Sequence, residues 1–148
     1  MTSIYHYTEC GLDNIWVHGV MIETDEEGME CYTIPHIRAL HKAIAREIVA
    51  APGMSGAELR FLRTEMGMYQ TDMAKLLHKT ALTISRWERD EKPIDPNAMA
   101  IIRLQAIERL KIDTSDSIEV LMKKSERVAP PPDMCFNPEN NHYVRIAA

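Results

Sequence analysis

The apolar positions change period near residue 35. Before it, Ile15, Val17, Val20 and Ile22 are candidate strand residues, and residues 30–34 predict a second short strand beyond the acidic turn at 25–28. Gly11, Gly19 and Gly28 punctuate this small β-rich stretch. After Pro35, Ile37, Leu40, Ile44 and Ile48 recur at three- and four-residue spacing, which predicts a helix with one apolar stripe, ended by Ala51-Pro52-Gly53. Ser55 and Glu58 have the spacing of a capping box; Leu59, Leu62 and Met66 form the inward face behind it, and Gly67 supplies a left-handed terminus. Two shorter helices are predicted over 70–77 and 82–89. Asp95-Pro96 starts another, running to about Leu110 through Met99, Ile102, Ala106 and Ile107, and the last covers 117–124 with Ile118, Leu121 and Met122. Beyond Val128 the prolines 130–132 and the run 137–141 read as an extended tail with at most one short strand, 143–146. The pattern predicts a mainly α protein: a small N-terminal unit with β structure and a helix over 1–51, a five-helix domain over 52–128, and a tail over 129–148.

Composition narrows the class. With 148 residues, 45% hydrophobic and 26% charged, the chain is globular in character. No apolar run approaches the length that spans a bilayer, and no basic-then-apolar leader opens the chain. Cys10, Cys31 and Cys135 are widely spaced and odd in number, which argues against a disulfide framework and for a reducing compartment. A cytoplasmic protein without membrane association is expected. The net charge of −5 is unevenly spread: residues 1–54 hold three Lys/Arg against eight Asp/Glu, whereas residues 55–94 hold seven against six. A nucleic-acid surface therefore belongs in the second stretch, where the local field is mildly positive.

The stretch from Gly67 to Glu88 meets the requirements of a bihelical DNA reader. Met73, Ala74 and Leu77 point one helix inward, and Ala74 is small where two helices cross. Ile84 and Trp87 bury the inner face of the next helix, leaving Leu82, Thr83, Ser85, Arg86 and Arg89 on the opposite face, which can enter a major groove. From Gln70 to Glu88 the chain strongly resembles the phage repressor/Cro-type helix-turn-helix regulators. The resemblance implies a five-helix repressor-type fold in which Gln70 bonds a phosphate and Arg63 pairs with Glu88 as a buried ion pair. Ala81, Leu82, Thr83, Ser85 and Arg86 would then approach bases, and Lys79 and Thr80 would lie near phosphate. Arg86 alone among the base-approaching residues can fork onto guanine O6 and N7. The chain departs from the family pattern at Tyr69, where a capping Ser or Thr is usual, and at His78 and Asp90, where glycine is common.

The order of a small β-like unit, a helix and a repressor-type module over residues 4–110 is similar to MqsA-type antitoxins. That resemblance implies a homodimer on a palindromic operator that represses its own operon and masks a small toxin. The zinc-bearing relatives use two Cys-x-x-Cys pairs; this chain has none, and Cys10 and Cys31 with His6, His18 and His36 lack structural-zinc spacing. No metal and no cofactor are expected. Neither cysteine has an activating loop or a third orienting group, so no enzymatic chemistry is expected. Tyr5, Tyr7, Ile15 and Trp16 read as the core of the small unit, and the acidic run 23–30 as a solvated turn with a basic toxin as the sharper alternative. The surplus of the aliphatic stripe in 96–122 is the natural dimer surface. Two other functions fit: a stand-alone phage or chromosomal repressor with no toxin, and a protein-interaction module that no longer binds DNA.

Overall fold

The computed structural model describes residues 2–125 and 131–146. In chain order the elements are β1 (Thr2–His6), β2 (Ile15–Thr24), β3 (Glu30–Thr33), α1 (Ile37–Ala50), α2 (Gly56–Glu65), α3 (Gln70–Leu77), α4 (Ala81–Glu88), α5 (Pro96–Arg109), α6 (Ile118–Lys124), β4 (Met134–Glu139) and β5 (His142–Ile146). The expectation of a mainly α fold is overturned. Among the described residues six helices are accompanied by a five-stranded mixed sheet, and the supposed tail supplies two of its strands. The compact units are residues 1–43 with 132–148, and residues 44–131. The tail is thus part of the first unit, and the boundary expected after residue 51 lies inside α1's sequence, at 43/44.

In the first unit the sheet order is β1-β2-β4-β5, with β3 pairing only β2. β2 runs antiparallel to β1 and β3, and parallel to β4 through Ile15↔Met134, Trp16↔Cys135 and Val17↔Phe136. Asn14 extends this join: its carbonyl accepts from Met134 N at 2.7 Å and its amide donates to Pro132 O at 2.8 Å. Local pattern hid β4, because Asn137-Pro138 reads as a turn. Its pairing partner lies over a hundred residues away, and only Met134 and Phe136 are fully inward. Met134 and Phe136 join Ile15, Val17, Val20 and Tyr143 as buried side chains.

The buried phase of β2 shifts from Ile15 and Val17 to Val20. A two-residue step from Ser3 to Tyr5 faces a three-residue step from Val20 to Val17, so β2 carries one extra residue there. Gly19 supplies it with a left-handed φ of 76°, and a Cβ would sit 2.6 Å from Pro138 Cγ. Without the bulge Val20 would turn to the opposite face.

In the second unit Leu59, Phe61 and Leu62 of α2, Met73, Ala74 and Leu77 of α3, and Ile84 and Trp87 of α4 are buried. Met66, expected inward, is half-buried. α4 packs on both α2 and α3, and α5 packs on α6. Ser117 caps α6 through Val120 N, whereas Asp95 starts α5 without a side-chain cap.

Among the described residues the largest fully buried side chain is charged. Arg103, on the stripe of Met99, Ile102 and Ala106, is 0% exposed and turns its guanidinium to the C-terminal end of α1. Nη1 donates to Ile48 O at 3.2 Å and Val49 O at 2.6 Å, and Nη2 donates to Gly53 O. These carbonyls lie at or beyond the end of α1, where intrahelical donors run out, and the guanidinium brings positive charge to the negative end of the helix dipole. Burial pushes Arg103 below the usual guanidinium range, and the charge of Glu58 offsets part of that shift. Glu58, itself buried, is pushed upward by desolvation, against the hydrogen bonds of Ser55 and the charge of Arg103.

Arg103→Ala is expected to lower the stability of the second unit by roughly 3–5 kcal/mol, combining a cavity with carbonyls left unsatisfied. Urea unfolding of the full chain followed by circular dichroism measures this; a midpoint within error of the parent contradicts the assigned role.

Candidate nucleic-acid interface

Three successive helices, α2, α3 and α4, end in the same way. Each is followed by a left-handed residue: Gly67 at φ 69°, His78 at 55° and Asp90 at 56°. At each end the following amides turn back to the last turn: Met68 N to Arg63 O, Lys79 N to Ala74 O, and Glu91 N to Arg86 O, at 2.9–3.1 Å. His78 and Asp90 therefore take the backbone conformation for which glycine is usual. Asp90 adds a function to that position: its Oδ1 accepts from Gly56 N at 2.9 Å, capping the start of α2 from the end of α4.

α2 begins with the expected capping box. Glu58 N donates to Ser55 Oγ at 3.2 Å and Ser55 N to Glu58 Oε1 at 2.9 Å. Gly56, the next residue, lies so close to α4 that a Cβ would stand 2.3 Å from Trp87 O and 2.6 Å from Glu88 O. A glycine just inside a cap is the available sequence signal for this approach. α3 has half of a box: Tyr69 N donates to Asp72 Oδ2 at 2.8 Å, while the tyrosine side chain caps nothing.

Glu88, near the end of α4, joins the three helices. Arg63 of α2 donates Nε to Oε2 at 2.7 Å and Nη2 to Oε1 at 3.0 Å, and Gln70 of α3 donates Nε2 to the same Oε1 at 3.2 Å. Arg63 Nη1 is spent on Met68 O at 2.9 Å. The side chains of Arg63 and Glu88 are only 14% and 4% exposed, so this is a buried, forked ion pair. Gln70 is thus oriented by Glu88, and its second amide hydrogen and its oxygen are left for an outside partner.

Lys79 and Thr80 lie on the connection between α3 and α4, while Ala81, Leu82, Thr83, Ser85, Arg86 and Arg89 lie on α4 or at its end. Thr80 caps α4 by accepting from Thr83 N at 3.2 Å, and the two hydroxyls are 3.0 Å apart. Leu82 is 54% exposed. Arg89 is drawn backward, to Ser85 O at 3.3 Å and to exposed Glu91 at 3.0 Å. The side chain of Arg86 has no hydrogen bond or ion pair with another described residue and is half-exposed. The face therefore presents an uncommitted guanidinium beside an exposed leucine, on a helix whose other charged groups are occupied. The bond from Gln70 to Glu88, the cap from Asp90 and the Gly56 approach are additions that the sequence pattern did not specify.

The second unit carries fourteen Lys/Arg and thirteen Asp/Glu, the first unit three and nine. The described residues contain no group of three or more His, Cys, Asp or Glu placed to hold a metal ion. His6, one of the residues weighed for zinc, stacks on Trp16 at 4.1 Å and bonds Asp13 O at 2.6 Å. No helix among the described residues is long and apolar enough to cross a membrane.

Glu88→Ala is expected to destabilise the chain by roughly 3–5 kcal/mol, because Arg63 is left buried without its carboxylate. Gly56→Ala is expected to lose roughly 1–3 kcal/mol through overpacking against the α4 backbone. Thermal unfolding of both variants checks the pair and the close approach separately; a melting temperature unchanged in either removes the corresponding contact from the account.

Comparison with protein-family models, with curated proteins and with solved structures returned no match.

Proposed function

We propose that the chain is a sequence-specific DNA-binding transcriptional repressor of the phage repressor/Cro type, reading a palindromic operator as a homodimer. The observation that carries this is Arg86. It lies on the outer face of an eight-residue helix, its side chain without a partner among the described residues, while Arg63, Gln70 and Glu88 fix that helix from behind. A guanidinium held on a rigid helix and left unpaired suits a forked contact with a guanine edge, and exposed Leu82 beside it suits a thymine methyl. Gln70 retains an N–H for phosphate, and Lys79 and the capped Thr80 lie at the helix start, where backbone contacts fix register without reading sequence.

A local charge of about +1 is weak for a DNA module, so two copies supply the contacts that one lacks. Ile101, Ile118 and Val120, 40%, 65% and 39% exposed on α5 and α6, are the surface on which a second copy would pack. The acidic first unit is repelled by phosphate and is assigned to a protein partner, a small toxin, which makes the chain an autoregulating antitoxin.

The direct test is footprinting on DNA upstream of the chain's own gene. Arg86→Ala should remove operator discrimination, at roughly 1–3 kcal/mol per half-site, while the melting temperature holds. Equal preference of parent and variant for operator over scrambled DNA would falsify the assignment of Arg86. Absence of any protected sequence counts against DNA binding itself.

A further inference from the structure

We propose that a tyrosine-lined cavity in the first unit binds an organic cation, presenting an alkylammonium or guanidinium head group. The cavity has a volume of about 240 Å³ and is lined by Tyr5, Tyr7, Glu9, Tyr32, Ile34 and Ile37. That is below the size of a drug-like pocket and suits a single head group with a short stem. Tyr5 was expected in the core of the unit. Instead it is half-exposed and stacks on exposed Tyr32, with ring centroids 4.6 Å apart and planes 25° apart.

The polar groups around the cavity are arranged for positive charge. Tyr5 donates its hydroxyl to Glu9, and Tyr32 donates to Glu30 at 3.0 Å. Both phenols spend their protons on carboxylates, so each ring presents an electron-rich face and each hydroxyl supports an anion. The bond to Glu9 helps push Tyr5 up to about 12, and the same bond holds Glu9 below the usual carboxylate range, so ring and acid keep these charge states throughout neutral pH. Tyr7 is fixed by a 2.7 Å bond between its hydroxyl and His41 Nε2. No lysine or arginine lines the cavity, and the unit as a whole carries three basic side chains against nine acidic ones.

A neutral apolar ligand would make no use of the Glu9 carboxylate at the rim, and an anion would face the field of the whole unit. A cation satisfies both demands: it pairs with Glu9 and lies against tyrosine faces, while Ile34 and Ile37 take its stem. The source can be a free amine or guanidine, or a basic side chain offered by another protein.

The test uses the full chain without DNA, so its failure is separate from failure of the repressor reading. Argininamide and butylammonium are titrated by amide-resolved NMR against their neutral counterparts, citrullinamide and butanol. The cations should shift the resonances of Tyr5, Glu9, Tyr32 and Ile34, and the neutral compounds should not. Glu9→Gln, at an exposed position, should weaken argininamide by about tenfold. Tyr32→Leu should weaken it several-fold, and Tyr32→Phe should stay near the parent, because the phenyl face is kept. A glycine-flanked arginine peptide separates the sources: tighter binding than argininamide indicates a side chain from a protein partner, weaker binding a free small cation. Equal shifts from citrullinamide, or an affinity unmoved by both Glu9→Gln and Tyr32→Leu, overturn the proposal.

Discussion

One buried carboxylate sets the geometry of the outer face of α4. Glu88 accepts hydrogen bonds from α2 through Arg63 and from α3 through Gln70, and it sits near the end of α4, the helix to be positioned. A single forked pair defines the rotation as well as the distance between α2 and α4, since both planar groups must align. The Gly56 approach and the Asp90 cap act on the same junction from its other side, closing the distance that Glu88 orients. Arg86 gains its fixed position from these contacts without making any of them.

The two charged anchors of the second unit solve different problems. Arg63 meets a carboxylate, and its cost of burial is offset by a full opposite charge. Arg103 meets backbone carbonyls, and its remaining Nε hydrogen has no acceptor among the described residues. Burial pushes Glu58 up and Arg103 down, and the charge of each offsets part of the other's shift. The first anchor orients helices, whereas the second closes the end of α1.

What the sequence disclosed was local. Ser55 with Glu58, Gly67, and the stripe of Met73, Ala74, Leu77, Ile84 and Trp87 report on themselves and on neighbours within a few turns, so the helices and the outer face of α4 were readable. β4 was not, because its order comes from pairing with β2 across most of the chain, and Pro138 disguises it. Arg103 was equally hidden. A charged residue on an apolar stripe ordinarily reads as exposed, and nothing nearby in sequence announces the carbonyls it meets. The Gly19 bulge explains why Ile15, Val17 and Val20 do not keep a strict two-residue alternation. Asp90 looked like a departure from a glycine position; its side chain is the reason the departure works.

The parallel join of β2 to β4 has a consequence in time. Ile15–Val17 and their partners Met134–Phe136 flank the whole of the second unit, which is therefore inserted in sequence within the first. During synthesis from the N-terminus, the ribosome must add more than a hundred residues before β2 can meet β4, on the order of ten seconds at common elongation rates. Throughout that interval one edge of the nascent β2 has no β4 to pair with, and unpaired strand edges invite association with other chains. The helical unit, residues 44–131, precedes β4 in the chain and can fold in the meantime. β1, β2 and β3 can pair with one another early, but the β4 edge of their sheet stays open until the inserted unit has been made.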